Sequence, residues 1–475
     1  YKTNFYELNR EAIEKGRTEP PYAWIIPPDQ HDPSAAVELL RRLRYGNVKI
    51  YQAAESIETG SGVVAPAGSF VIPLAQANRP YIKDLMEVQQ YPDMRLYPDG
   101  PPLAPYDLTA WTLPLMMGVK ALEATIPFTA TLEEMDHPTW ELPPVDENAS
   151  TYLIPRRWTN SYRLINTLLK GGSTVGVLTD DLTVDGETFL EGTFVVPATR
   201  KNRTALLEAA RTNEVPISPV TSPPPFRTIR AARVALYGPW VTAYDEGWTR
   251  YIFDQFGFAY TILRNPDFQD AKNLNKFDVV IMPSQRTSQI VDGKWSPDQK
   301  DYIGDAPILP EYQGGIGKEG VKNLKQFLLR GGTVLFLGQS GNFAIDELGV
   351  PATNILQDIP RKDFYAPGSI FEVTLDRSSH LTYGMPTSTP IYFRQDPTYR
   401  LWIGTQPHRE TAVYASRNPL LSGWMVGDRI LPGKVALAEV AAGKGTAVLY
   451  GFRVQNRAQT WGTFKLLFNA LYKER

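Results

Sequence analysis

Hydrophobic positions in the front half of the chain form short apolar runs separated by amphipathic stretches, and one such run occurs twice. Ala67-Gly68-Ser69-Phe70-Val71-Ile72-Pro73 returns as Glu191-Gly192-Thr193-Phe194-Val195-Val196-Pro197, and each copy is followed at the same spacing by an Asn-Arg pair, Asn78-Arg79 and Asn202-Arg203. Upstream, Leu39-Leu40-Arg41-Arg42-Leu43-Arg44-Tyr45-Gly46 matches Leu164-Ile165-Asn166-Thr167-Leu168-Leu169-Lys170-Gly171, and Ile26-Pro27 matches Ile154-Pro155. The pattern predicts two tandem α/β modules of βαβ type, 21–148 and 149–217, after a leader helix over 1–20. In the first, Ala23-Trp24-Ile25-Ile26 reads as a buried strand. Asp32-Pro33 caps a helix that carries Ala36, Leu40 and Leu43 on one face and stops at Gly46. A second amphipathic segment follows at Tyr81-Ile82-Lys83-Asp84-Leu85-Met86, and the proline-punctuated stretch 91–105 cannot be regular structure. Duplicated modules serve more often as scaffold or binding surface than as a catalytic centre, which needs one asymmetric constellation.

Residues 218–229, centred on Pro223-Pro224-Pro225, read as a stiff linker. Beyond it, over 230–475, the pattern becomes that of a doubly wound, flavodoxin- or amidotransferase-like parallel sheet. Val234-Ala235-Leu236-Tyr237, Phe277-Asp278-Val279-Val280-Ile281-Met282 and Thr333-Val334-Leu335-Phe336-Leu337 are unbroken apolar runs, as strands covered on both faces require. They alternate with helices, one carrying Trp248, Ile252 and Phe256 in line and another Val321, Leu324, Phe327 and Leu328. From Phe371 onward alternating segments predict C-terminal β additions, including a hairpin around Gly443-Lys444. A closing helix presents Phe464, Leu467, Phe468 and Leu471 on one side.

Composition narrows the function classes. A formal charge of -2, with 43% hydrophobic and 21% charged residues, leaves no basic stripe for nucleic acid or anionic lipid. No apolar run is long enough to span a bilayer. The absence of cysteine excludes disulfides, thiolate metal sites and a cysteine nucleophile. The opening residues read as a helix already under way, Tyr6-Glu7-Leu8-Asn9-Arg10-Glu11-Ala12-Ile13, which predicts a processed piece of a longer protein. Zero cysteine with 40 prolines and 24 tyrosines fits an exported bacterial protein, secreted or periplasmic, with its signal peptide outside this sequence.

Four stretches resemble a known family. Pro21-Tyr22-Ala23-Trp24-Ile25-Ile26-Pro27 with Asp29-Gln30-His31-Asp32-Pro33, then Pro105-Tyr106-Asp107-Leu108-Thr109-Ala110-Trp111-Thr112-Leu113-Pro114, then Asp245-Glu246-Gly247-Trp248-Thr249-Arg250, and Gly451-Phe452-Arg453 with Gly462-Thr463-Phe464-Lys465, look like the long C-terminal extension of large bacterial secreted proteins of the zinc carboxypeptidase (carboxypeptidase A-like) family. The resemblance implies a peptidase domain upstream and a class I glutamine amidotransferase-like fold from about Arg230. The family's zinc site needs a His-x-x-Glu pair and a distant histidine. His31, His137, His380 and His408 are followed at that spacing by Ser34, Trp140, Tyr383 and Thr411, so zinc is expected only in the upstream domain and no cofactor in this chain.

An amidotransferase uses a cysteine on the turn after a central strand; here Leu337 leads into Gly338-Gln339-Ser340-Gly341-Asn342. Ser340 stands near an elbow position, but Asn342 occupies the place where Gly-x-Ser-x-Gly requires glycine, so a polar turn is the plainer reading and no residue is assigned a catalytic role. The candidate ligand-binding cleft is the carboxyl edge of the parallel sheet: Asp245, Glu246 and Trp248 at a helix start, Glu311, Tyr312, Gly314 and Gly315 on a glycine-rich insertion between Pro283 and Gly320, and Ser340. Asp245, Glu246, Glu311 and Tyr312 are expected to converge there. The two helix-start carboxylates also suit the helix dipole, and the glycines suit a turn. The functional expectation is an accessory, non-catalytic region of a zinc carboxypeptidase-like metallopeptidase, contributing substrate positioning, stability or assembly. Its partner would be the upstream domain or another copy of the chain. The alternatives are an independent hydrolase using Ser340 or Asp245, Glu246 and Glu311, and a peptide- or carbohydrate-binding module.

Overall fold

The computed structural model describes residues 1–60, 62–98, 100–295, 308–404 and 406–474. In the first module the strand order is Leu122–Ala124, Ala23–Ile26, Phe70–Pro73, Tyr51–Ala53, Leu132–Glu134, all neighbours antiparallel. The second repeats it as Ser218–Val220, Thr151–Ile154, Phe194–Pro197, Val175–Leu178, Phe226–Ala231, with Tyr472–Glu474 added outside. In each, the first and second strands run parallel to one another with the third inserted between them, a split βαβ unit. The repeated phenylalanines hold the same register: Phe70 lies opposite Ile26 and Phe194 opposite Ile154, both fully buried.

Strand residues alternate between two cores, as a pleated strand dictates. Trp24, Ile26, Phe70, Ile72, Tyr152, Ile154, Phe194 and Val196 face the helices and join the main core, whereas Ala23, Ile25, Val71, Leu153 and Val195 face small hairpins on the other side. The matching helices are Pro33–Tyr45 and Arg79–Met86 in one module, Ser161–Lys170 and Arg203–Thr212 in the other, and the first module adds a short one, Leu113–Met117; each Asn-Arg pair opens the second helix of its module. The leader helix Lys2–Thr18 buries only Ala12 and Gly16 and exposes Phe5, Tyr6 and Leu8.

The segment 218–229, expected as a stiff linker, is built into the second module. Ser218–Val220 and Phe226–Ala231 lie on either side of the three strands between them, and the tri-proline stretch carries the chain across. Four strand spacings of about 4.8 Å span ~19 Å, which the six residue steps from Val220 to Phe226 bridge, with bends at Thr221 and Ser222 before the prolines.

The third unit is a mixed α/β sheet. Its parallel part, Thr261–Leu263, Val234–Tyr237, Val279–Met282, Thr333–Leu337, Gly445–Tyr450, has the flavodoxin-like order 2-1-3-4-5. Gly445–Tyr450 also pairs antiparallel with Val435–Ala442, so the C-terminal β additions His408–Tyr414, Ser369–Leu375 and Ser388–Phe393 extend the same sheet. The closing helix is shorter than its pattern implied. Phe464–Phe468 is buried on every side, flanked by 3-10 turns Trp461–Thr463 and Asn469–Leu471, because it fills the centre of the molecule instead of covering a surface. One apolar cluster runs from Trp24 through Tyr152 and Phe256 to Phe468, so the modules and the third unit share a core.

Candidate functional site

The turn after the central strand Thr333–Leu337 decides what chemistry this edge supports. In a nucleophile elbow the reactive side chain sits on the strained residue between strand and helix. Here that residue is Gly338, with φ of 52°, and it bears no side chain. A β-carbon added to it would stand 2.7 Å from both Asp396 Oδ1 and Ser284 Oγ. Ser340 lies two residues further, inside the helix Ser340–Asp346 and fully buried, its hydroxyl 2.9 Å from the Leu337 carbonyl and 3.0 Å from that of Met282. It is a structural hydroxyl, and the elbow register falls on a glycine.

Asp396 fills the space beside Gly338. Its carboxylate accepts from Arg453 Nε at 2.8 Å and from the Arg394 backbone N–H at 2.9 Å. The same guanidinium also binds Asp245, so two buried carboxylates share one cation. Burial pushes the Asp396 carboxyl up to about 6; Arg453 opposes this and Asp245 adds to it. Burial acts to lower the Arg453 value, but the two carboxylates outweigh it and hold the guanidinium firmly charged. Asp245 therefore faces inward to Arg453, and Gln455 donates to Thr249 Oγ1 at 2.8 Å beside it.

The other predicted residues separate. Glu246 is half-buried and lies 3.6 Å from Arg250; burial raises its pKa against the pull of Arg250 and Arg264. Tyr312 meets Trp240 edge-on at 5.0 Å, and Arg264 covers the Trp240 ring at 4.7 Å. Trp248 packs edge-on against Tyr251 instead. Glu311 is exposed on the turn Pro310–Tyr312. The Gly314 carbonyl accepts from Asn265 Nδ2 at 2.6 Å, and Gly315 lies so close to the Ile290 carbonyl that a side chain would not fit. The insertion thus reaches the carboxyl edge and closes over Trp240; part of it, 296–307, lies outside the described residues. Asp245, Glu246, Glu311 and Tyr312 do not form one ligand-binding constellation.

A cavity of about 530 Å³ opens at the same edge, on the side of the strands Val279–Met282 and Thr333–Leu337. Gln339 and Asn342 line it from the turn and helix after Thr333–Leu337, Asp396 from the loop beside Gly338, Arg286 from the turn after Val279–Met282, Asn354 from the end of the short strand Ala352–Asn354, and Arg361 from the irregular segment that follows. None of the residues expected to form the ligand-binding cleft lines it. Only Gln339 and Asn342 carried a usable signal, as polar residues directly after a buried central strand. Among the described residues no group of three or more His, Cys, Asp or Glu is placed to hold a metal ion.

No family model matches the chain, and no curated protein does. Solved structures match at low similarity. A cytoplasmic protein from Salmonella typhimurium is 12% identical over 50% of this chain and 97% of its own, with a TM-score of 0.31. A ThuA-like protein from Bacteroides uniformis is 12% identical over 50% of this chain and 89% of its own, with a TM-score of 0.28. A GH42 β-galactosidase from G. stearothermophilus, in a catalytic mutant, is 14% identical over 51% of this chain and 30% of its own, with a TM-score of 0.29.

Proposed function

We propose that this chain is a non-hydrolytic, ligand-holding accessory region of a larger zinc carboxypeptidase-like protein, exported from a bacterial cell. The observation that carries the reading is Gly338: the elbow position has no nucleophile, and Asp396, tied to Arg453, takes the space one would need. The doubled module supports a scaffolding role, and the exposed Phe5, Tyr6 and Leu8 of the leader helix offer an upstream domain an apolar surface. On this reading the chain positions substrate for a peptidase whose zinc and catalytic groups lie elsewhere. The test is peptide hydrolysis by the peptidase with and without this region covalently attached, alongside fluorophosphonate treatment of the region itself. Removal is expected to raise KM with kcat little changed, and Ser340 to remain unlabelled. A labelled Ser340, or peptidase kinetics indifferent to the region, would count against it.

A further inference from the structure

The chemistry of the cavity narrows its ligand. Three side-chain amides on its wall form an ordered relay: Asn354 Nδ2 donates to Asn342 Oδ1 at 3.0 Å, Asn342 Nδ2 donates to Gln339 Oε1 at 3.0 Å, and Gln339 Nε2 donates to the Gln395 carbonyl. Asn354 Oδ1 also accepts from the Leu356 and Thr398 backbone N–H groups, which fixes the orientation of the first amide and, through it, of the others. Each amide nitrogen carries two protons and spends one on the relay. Each of the three therefore has a second N–H, while its oxygen is already engaged.

Charge points the same way. Among the described residues neither Arg286 nor Arg361 has a carboxylate within ion-pair distance, whereas Asp396, the innermost acid, is neutralised by Arg453. The wall thus offers donors on three amides and two guanidiniums, against one carboxylate, the exposed Asp346, with the Ser288 hydroxyl and the Gln357 amide beside them. An apolar side made by Leu356, Ile359, Phe364 and Tyr365 faces the same space. Amide N–H groups beside an apolar wall suit a ring bearing several hydroxyl oxygens, and a guanidinium suits a carboxylate.

We infer that the cavity binds a sugar acid, its carboxylate held by Arg286 and Arg361 and its ring hydroxyls accepting from Gln339, Asn342 and Asn354. This rests on the reading of the chain as a ligand-holding region. Its volume, within the usual 300–1,000 Å³ of small-molecule sites, leaves room for more than a single ring.

The test is calorimetric titration of the intact chain with digalacturonate, with lactose, acetate and inorganic phosphate as probes lacking either the carboxylate or the hydroxyl-bearing ring. Digalacturonate is expected to bind at least tenfold more tightly than any of the three. Arg361→Ala and Asn342→Leu are each expected to weaken it at least fivefold while far-UV circular dichroism and the unfolding midpoint stay close to wild type. Asn342→Asp, which keeps the shape but replaces donors by a negative charge, is expected to abolish it. Equal binding of lactose, equal binding of phosphate, an affinity unmoved by Arg361→Ala, or no digalacturonate binding at millimolar concentration would each overturn the assignment. Product analysis after the titration separates this inference from the function above. Cleavage of bound digalacturonate would refute the non-hydrolytic reading and leave the sugar-acid site standing.

Discussion

Lys465 Nζ lies 2.5 Å from Asp32 Oδ2, and both side chains are almost completely buried. Asp32 caps the helix Pro33–Tyr45 by accepting from the Ser34 and Ala35 backbone N–H groups. It also accepts from Thr159, at the start of the equivalent helix in the second module. One carboxylate therefore joins both modules and the C-terminal core segment. Burial alone would push this carboxyl up, but Lys465 and the hydroxyls of Ser34 and Thr159 outweigh it and hold it below its ordinary range. Removing one partner leaves an uncompensated buried charge. Lys465→Met and Asp32→Ala are each expected to cost about 3–5 kcal/mol, and the double replacement clearly less than their sum. Urea unfolding of the three variants measures this; simple additivity would mean the two groups are not coupled.

Asp396 supplies a pH dependence of opposite sign. A carboxyl whose folded pKa is about 6 against an ordinary 3.8 holds its proton more tightly in the folded protein. Its contribution to stability is greatest below pH 3.8 and is lost as pH rises through about 6. Asp396→Asn imitates the protonated form. The stability of this variant relative to wild type is expected to climb between about pH 4 and pH 7 by about 2–3 kcal/mol. Parallel urea midpoints for the two proteins across that range would refute the assignment.

Gly16 seats the leader helix on the first module. A β-carbon there would stand 2.0 Å from the Leu74 carbonyl oxygen, so no other residue fits without moving the backbone. Gly16→Val is expected to lift the helix Lys2–Thr18 away, giving fast hydrogen exchange and protease cleavage in that segment with the global unfolding midpoint little altered. Unchanged protection would show that the helix is held by other contacts.

Ser340→Ala removes a buried hydroxyl from between two carbonyls. It is expected to lower stability by about 1–3 kcal/mol and to leave digalacturonate affinity within about twofold of wild type. Thermal unfolding and the same titration check both halves.

Local signals carried much of the fold. Gly-x-Phe-Val-x-Pro marks the central strand of each module, Asp32-Pro33 marks a helix start, and unbroken apolar runs mark the parallel strands, because each depends on neighbours a few residues away. The edge strand Ser218–Val220 was hidden by Pro219, which is tolerated at the margin of a sheet, and the start of Phe226–Ala231 by the three prolines directly before it. The elbow was misplaced because its position depends on where Thr333–Leu337 ends, and Leu337 is the last residue before the positive φ at Gly338. The cavity was invisible for a different reason. Asn354 ends a strand of only three residues and Arg361 sits in a segment without periodicity, and only tertiary packing brings them to Gln339 and Asn342.

The pairing of Phe226–Ala231 with Tyr472–Glu474, extended by the Ala232 N–H donating to the Leu471 carbonyl at 2.8 Å, bears on how the molecule is made. The whole third unit enters and leaves through one sheet, as an insertion spliced into the second module. A ribosome delivers Phe226–Ala231 long before its partner strand exists, so during synthesis that segment presents an open β edge, the kind of surface that pairs with other chains. The second module cannot be sealed until the third unit has folded and returned Tyr472–Glu474 to it. A loss of only those few residues would then act on the distant front half of the protein, leaving its sheet permanently open to aggregation.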